Sequence, residues 1–90
     1  MNSHITKSFR AHFKRLPVDV QRHARRVYRQ WQTDPNHPGL HFKPVSRKQP
    51  VYAVRIGIGW RALGLRQGNT LYWFWIGNHD DYDAYLKTLR

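Results

Sequence analysis

Apolar residues recur with a helical period in the first third of the chain and with a strand period after it. Phe9, Phe13 and Leu16 stand at i, i+4 and i+7 and predict a short helix, with Arg10, Lys14 and Arg15 off its apolar stripe. Pro17 punctuates. Its fixed φ suits the first position of a second helix, and Asp19 suits that helix's positive N-terminal dipole. Val20, Ala24, Val27 and Trp31 continue the helical period, with Tyr28 beside them and Arg22, Arg25, Arg26 and Arg29 around the rest. Asp34–Pro35–Asn36–His37–Pro38–Gly39 ends the pattern. The Leu16–Pro17 junction therefore joins a helical hairpin. Before it, His4–Ser8 has the makings of a brief edge strand.

The period then falls to two. Leu40–Val45 reads as a strand, Ser46–Pro50 as a basic loop, and Val51–Ile56 as an alternating strand. Gly57–Ile58–Gly59 turns into a strand at Trp60–Arg66, and Gln67–Gly68–Asn69 turns into another at Leu71–Ile76. The last of these is aromatic enough for a central strand covered on both faces, with Trp73 and Trp75 pointing the same way. Asn78 suits the N-cap of a final short helix, with Asp81 at its third position and Tyr82, Tyr85, Leu86 and Leu89 on its apolar side. The expected fold is α+β in one domain, residues 1–90. A helical hairpin packs on an antiparallel sheet of three to five strands, followed by a short C-terminal helix.

Charge narrows the partners. Sixteen Lys and Arg stand against five acids, a formal net charge of +11. All five acids are aspartates, and three of them fall in residues 80–83. Such a field draws polyanions, of which nucleic acid is the commonest in a cell. An aromatic content of 14% argues against disorder. The absence of cysteine excludes a disulfide framework, a zinc finger and a thiol nucleophile. No apolar run is long enough to span a membrane and none follows Met1, so the expectation is a soluble, cytoplasmic protein.

The arginines of the second helix read as solvated surface. Residues in strands and loops carry more information: Lys43, Arg47, Lys48, Arg55, Arg61 and Arg66. Arg55 and Arg61 stand inside otherwise apolar strands, where a guanidinium needs an anion, a partner or a solvated head. Trp60 follows a glycine-rich turn beside Arg61 and is a candidate stacking platform for a base. His41 lies near the basic loop. His79 follows the last strand at a helix start, where free N–H groups bind anions and an imidazole moves protons near neutral pH; the bland alternative is a surface histidine held by Asp80 or Asp81. No second histidine lies at a metal-ligating spacing from it, so no metal or other cofactor is expected.

The order of these elements resembles the RelE/ParE superfamily of bacterial type II toxins. Val51-Tyr-Ala-Val-Arg-Ile-Gly-Ile-Gly-Trp-Arg-Ala-Leu is similar to that family's strand–turn–strand. Trp75-Ile-Gly-Asn-His-Asp-Asp-Tyr-Asp-Ala-Tyr resembles its Gly-x-His-x-acid-aromatic ending, as in the YafQ and HigB branches. Ala53 and Asp80 depart from it, standing where a lysine and an arginine are frequent. The resemblance implies a ribosome-dependent endoribonuclease that cuts mRNA without metal. Its partners would be 16S rRNA and mRNA on the ribosome and a cognate, acidic antitoxin, through which alone DNA would be reached. By position it implies that Arg61 contacts the scissile phosphate, Arg55 faces the RNA, His79 is the acid or base, and Tyr85 is the C-terminal aromatic that stacks or donates a proton. ParE-like members share the fold and inhibit DNA gyrase without chemistry. A basic RNA-binding module without toxicity is the remaining alternative.

Overall fold

Thr6 decides where the first strand stops and the first helix begins. Its hydroxyl donates to Trp73 O at 2.6 Å and accepts from Phe9 N–H at 3.2 Å, so one side chain caps the helix and ties it to the sheet. In the computed structural model, which describes residues 1–89, the elements run β1 (Asn2–Ile5), α1 (Lys7–Phe13), α2 (Val18–Thr33), β2 (Lys43–Pro44), β3 (Val51–Ile56), β4 (Trp60–Gln67), β5 (Thr70–Asn78) and α3 (His79–Thr88). The helical hairpin, the β3–β4–β5 meander and the C-terminal helix match expectation. Gln21 fastens the hairpin by donating to Phe13 O, which also accepts from Leu16 N–H, and to Leu16 O in the turn between the helices.

Four details differ from the sequence reading. The N-terminal strand is Asn2–Ile5 rather than His4–Ser8, because Thr6 caps a helix that already includes Lys7 and Ser8. That strand pairs with β5 in parallel, so the sheet of order β1-β5-β4-β3-β2 is mixed, with β4 at its centre and β5 beside it. Pro17 precedes α2 as its N-cap rather than occupying its first turn. The expected strand Leu40–Val45 shrinks to Lys43–Pro44. Pro38–Leu40 form a 3-10 turn, His41 adopts a left-handed φ of 46°, and Pro44 lacks a ladder N–H.

Two cores lie on opposite faces of the sheet. On the hairpin face, Val20, Ala24 and Trp31 of α2 pack with Val54, Ile56, Ala62, Leu71, Trp73 and Ile76. On the other, Tyr82 of α3 packs with Val51, Ala53, Leu63 and Trp75. Trp73 and Trp75 therefore do not point the same way. Leu63 pairs with Trp75 and Gly64 with Trp73, so Phe74 is an extra residue, a β-bulge that reverses the alternation. Gly64 makes room for it: a Cβ there would stand 2.8 Å from Leu71 Cγ and 3.1 Å from Trp73 Cε3.

Candidate functional site

A basic pocket forms where the β3–β4 turn meets the start of α3. Gly57 takes φ +62° to make the turn, and a Cβ there would sit 3.1 Å from His23 Cε1. The turn aims its carbonyls back at the two strand arginines. Arg55 Nε donates to Gly57 O at 3.0 Å. Arg61 Nη1 donates to Gly57 O and Ile58 O, each at 3.2 Å, and to Trp60 O at 2.7 Å. The two residues are direct cross-strand partners, so both side chains leave the same face of the sheet.

The same turn holds the start of α3. His79 N–H donates to Gly59 O at 2.8 Å, and the Asn78 side chain caps Asp81 N–H at 2.8 Å. Two of the N–H groups expected to be free for an anion are thereby occupied, so the cationic character of the pocket comes from side chains. The His79 ring projects beside Arg61. Its Nδ1 lies 3.0 Å from Asp83 Oδ2, one helical turn on, which leaves Nε2 as the nitrogen open to a substrate. The histidine is thus held by Asp83, not by Asp80 or Asp81.

Tyr82 lies between these groups. Its ring meets His79 edge to face at 5.6 Å, and the Arg61 guanidinium carbon sits 5.9 Å from its centroid. Burial holds the Tyr82 phenol above its ordinary range; Arg61 opposes this and Asp83 adds to it. Burial, then the adjacent Arg55, lowers the Arg61 pKa, with Tyr82 and Asp83 acting the other way. Among the described residues, the one ion pair within 4.0 Å is His79–Asp83, so no carboxylate is in direct contact with Arg55 or Arg61, and Asp83 reaches Arg61 only at longer range. A hollow of about 120 Å³ is lined by Arg55, Arg61, His79 and Tyr82, with His41 and Lys43 at its side.

The structure thus brings together five residues singled out from sequence: Arg55, Arg61, His79, His41 and Lys43. The others lie elsewhere. Trp60 packs half-buried against the hairpin-side core, on the face opposite Arg61, which removes it as a platform for this pocket. Arg66 sits at the far end of β4, its Nε donating to Gly68 O and its guanidinium 5.5 Å from the Tyr52 ring centroid. Arg47 and Lys48 are exposed in a loop whose Ser46 donates to Leu89 O, at the end of α3 remote from His79. Tyr85 packs at a tilt against Trp75 and Phe74, with ring centroids 5.8 and 5.9 Å away, and does not line the hollow; Tyr82, one turn nearer the strand, does. Sequence reasoning missed the parts played by Tyr82 and Asp83. Their i+3 and i+4 spacing from His79 was the available signal.

A family sequence model described as a ParE-like toxin domain matches residues 18–84. A search of curated proteins found no match. Among solved structures, the chain superposes on one from the RelB–RelE antitoxin–toxin complex of Methanococcus jannaschii with a TM-score of 0.72 at 16% identity, covering 90% of this chain and 95% of that one. The RelBE2 toxin–antitoxin complex of Mycobacterium tuberculosis gives a TM-score of 0.70 at 16% identity, over 87% and 96%. A copper-bound mutant toxin from Helicobacter pylori gives 0.60 at 16% identity, over 90% and 97%. At these identities the superpositions establish a shared fold.

Proposed function

The chain belongs to the ParE-like toxin domain family, and from that premise we propose that it is the toxin of a type II toxin–antitoxin pair whose active form is a cytoplasmic endoribonuclease cutting ribosome-bound mRNA. One observation carries the catalytic reading. Two guanidiniums with no carboxylate in direct contact among the described residues, an imidazole and a phenol line one small hollow. The partner that silences it would be an acidic antitoxin, because a chain of net charge +11 with a single internal ion pair among its described residues has cations to spare.

These groups suit RNA cleavage by internal attack. The ribose 2′-oxygen loses its proton and bonds to the adjacent phosphorus, and the bond from phosphorus to the 5′-oxygen breaks. The products are a 2′,3′-cyclic phosphate and a 5′-hydroxyl. His79 Nε2 takes the 2′-proton, with Asp83 orienting the ring and accepting from Nδ1–H. Arg61 and Arg55 stabilise the charge that grows on the phosphorane oxygens. Tyr82, kept protonated by burial, donates to the departing 5′-oxygen. This gives Tyr82 the role that the family resemblance implied for Tyr85. Lys43 and His41 would hold the flanking phosphate.

The family description also supports a second reading, a ParE-type toxin that binds a protein target such as gyrase and does no chemistry. Induced expression followed by primer extension on cellular mRNA, run beside a supercoiling assay, separates the two. Cuts within translated codons that vanish in the His79→Ala variant support the nuclease. Growth arrest with intact mRNA and impaired supercoiling overturns it in favour of the second reading.

A further inference from the structure

We propose that Ile58, at the tip of the β3–β4 turn, is a substrate-binding residue, packing against the base of the nucleotide next to the phosphate held by Arg61. The inference rests on the nuclease reading above and adds to it the part of the substrate that the hollow does not meet. Ile58 is 82% exposed, more than any other large apolar residue among those described. The fold has no use for it there. Gly, Asn, Asp and Ser serve turn tips, and an isoleucine left in water contributes no packing.

The turn is nonetheless held stiffly. Arg55 and Arg61 both donate to Gly57 O, and Arg61 also to Ile58 O. His79 N–H, at the start of α3, holds Gly59 O. From α2, the His23 ring closes on Gly57. Beside the tip the ground is open, since a Cβ at Gly59 would meet nothing within 4 Å. A fixed apolar tip with free space next to it suits a flat ligand face, because little freedom is lost on contact.

Charge and distance select the ligand. Ile58 O lies 3.2 Å from Arg61 Nη1, so the Ile58 Cα stands within about 6 Å of a guanidinium that lines the hollow. The hollow is cationic and, at about 120 Å³, holds the volume of about four waters. That admits a phosphate and the nearest ribose atoms but not a base as well. A nucleotide chain alternates an anion with a flat, largely apolar base. With its phosphate on Arg61, an adjoining base is left outside the hollow, where Ile58 stands. Aliphatic side chains, isoleucine among them, pack on base faces in this way.

The test uses the full chain and two uncleavable probes followed by NMR. One is an RNA dinucleotide that lacks the 2′-hydroxyl on its first sugar. The other is the same sugar–phosphate backbone without its bases. Both are expected to move the His79 and Arg61 side-chain signals. Only the base-bearing probe should shift the Ile58 δ-methyl upfield, through the ring current of a base lying on it, while the methyls of Ile5, Ile56 and Ile76 stay in place. That probe should bind about fivefold tighter than the bare backbone, the worth of roughly 40 Å² of apolar surface taken from water. Ile58→Ser should erase the preference without changing affinity for the bare backbone, and Ile58→Leu should keep most of it. An Ile58 methyl that stays put while His79 and Arg61 respond to the base-bearing probe overturns this inference and leaves the nuclease reading standing. So does a fivefold preference that survives Ile58→Ser. If neither probe moves His79 or Arg61, the RNA reading of the hollow falls, and this inference with it.

Discussion

Arg55 and Arg61 face each other across β3 and β4, and both guanidiniums donate to one carbonyl oxygen, that of Gly57. Like charges directly opposite on a sheet destabilise it by roughly 0.2–1 kcal/mol. The pair is therefore a liability to the fold that an incoming phosphate would relieve. Arg55→Gln is expected to raise stability by about that amount at low salt, and the gain should disappear when phosphate replaces chloride. Its cleavage activity is expected to fall by about two orders of magnitude. Urea melts in the two buffers, alongside a cleavage assay, check both halves.

His79 is tied to Asp83 on the surface, with side-chain exposures of 44% and 54%. Exposed pairs contribute only about 0–1 kcal/mol, so His79→Ala should melt close to the native protein. Its cleavage rate should fall roughly a hundredfold or more. Asp83→Asn keeps the ring and removes only its orienting acceptor, so it should retain activity between the two. An Asp83→Asn variant less active than His79→Ala would contradict that order.

Tyr82 supplies a dependence on alkaline pH. Its phenol sits above the ordinary value of 10.0 in the fold because it is buried. As pH rises past the unfolded value, the unfolded chain loses this proton while the folded chain keeps it. The stability contributed by the neutral phenol is whole below pH 10.0 and is lost as pH climbs toward the folded value. Tyr82→Phe has no such proton. Its stability relative to the native protein should therefore rise on going from about pH 9 to about pH 11. Paired denaturation curves measure the change, and a constant difference would show that the phenol is not withheld from solvent. At neutral pH the same variant should cleave more slowly than native.

The bulge on β5 can be tested through the residue that accommodates it. Gly64→Ala would place a methyl 2.8 Å from Leu71 Cγ, and Leu71 is fully buried and cannot swing away. A loss of about 1–3 kcal/mol is expected, seen as a lowered thermal midpoint. Gly68→Ala is a useful contrast. A Cβ there meets nothing within 4 Å, so any loss reflects only its φ of +60°.

The sequence made the helices, the meander and the α3 cap readable because each is a local matter. Val20, Ala24, Val27 and Trp31 keep one period over one helix, and Asn78 caps within its own turn. The convergence of Arg55 with Arg61 was likewise implicit in a short turn between two alternating strands. What escaped reading depends on partners far along the chain. The side chain of Thr6, where β1 ends, reaches Trp73 of β5, 67 residues away. The shortening of the Leu40–Val45 strand is the exception, a local left-handed turn at His41 in a segment whose apolar residues masked it. Trp60 reads as an accessible platform because it follows the glycine-rich turn Gly57–Ile58–Gly59. Which face it takes is set instead by its cross-strand partner Ile56, itself part of the hairpin-side core.

Phe74 turns β5 into two strands of opposite phase laid end to end. Before it, Leu71 and Trp73 serve the hairpin-side core, and after it Trp75 joins the core under Tyr82. Removing that single residue would exchange the destinations of the aromatic side chains on one side of the cut, setting an indole where the other core has no space for it. The scaffold for the helices and the support beneath the hollow are thus free to diverge residue by residue, but not in length. Insertions or deletions in this family member should be tolerated in the 46–50 loop long before they are tolerated between Leu71 and Trp75.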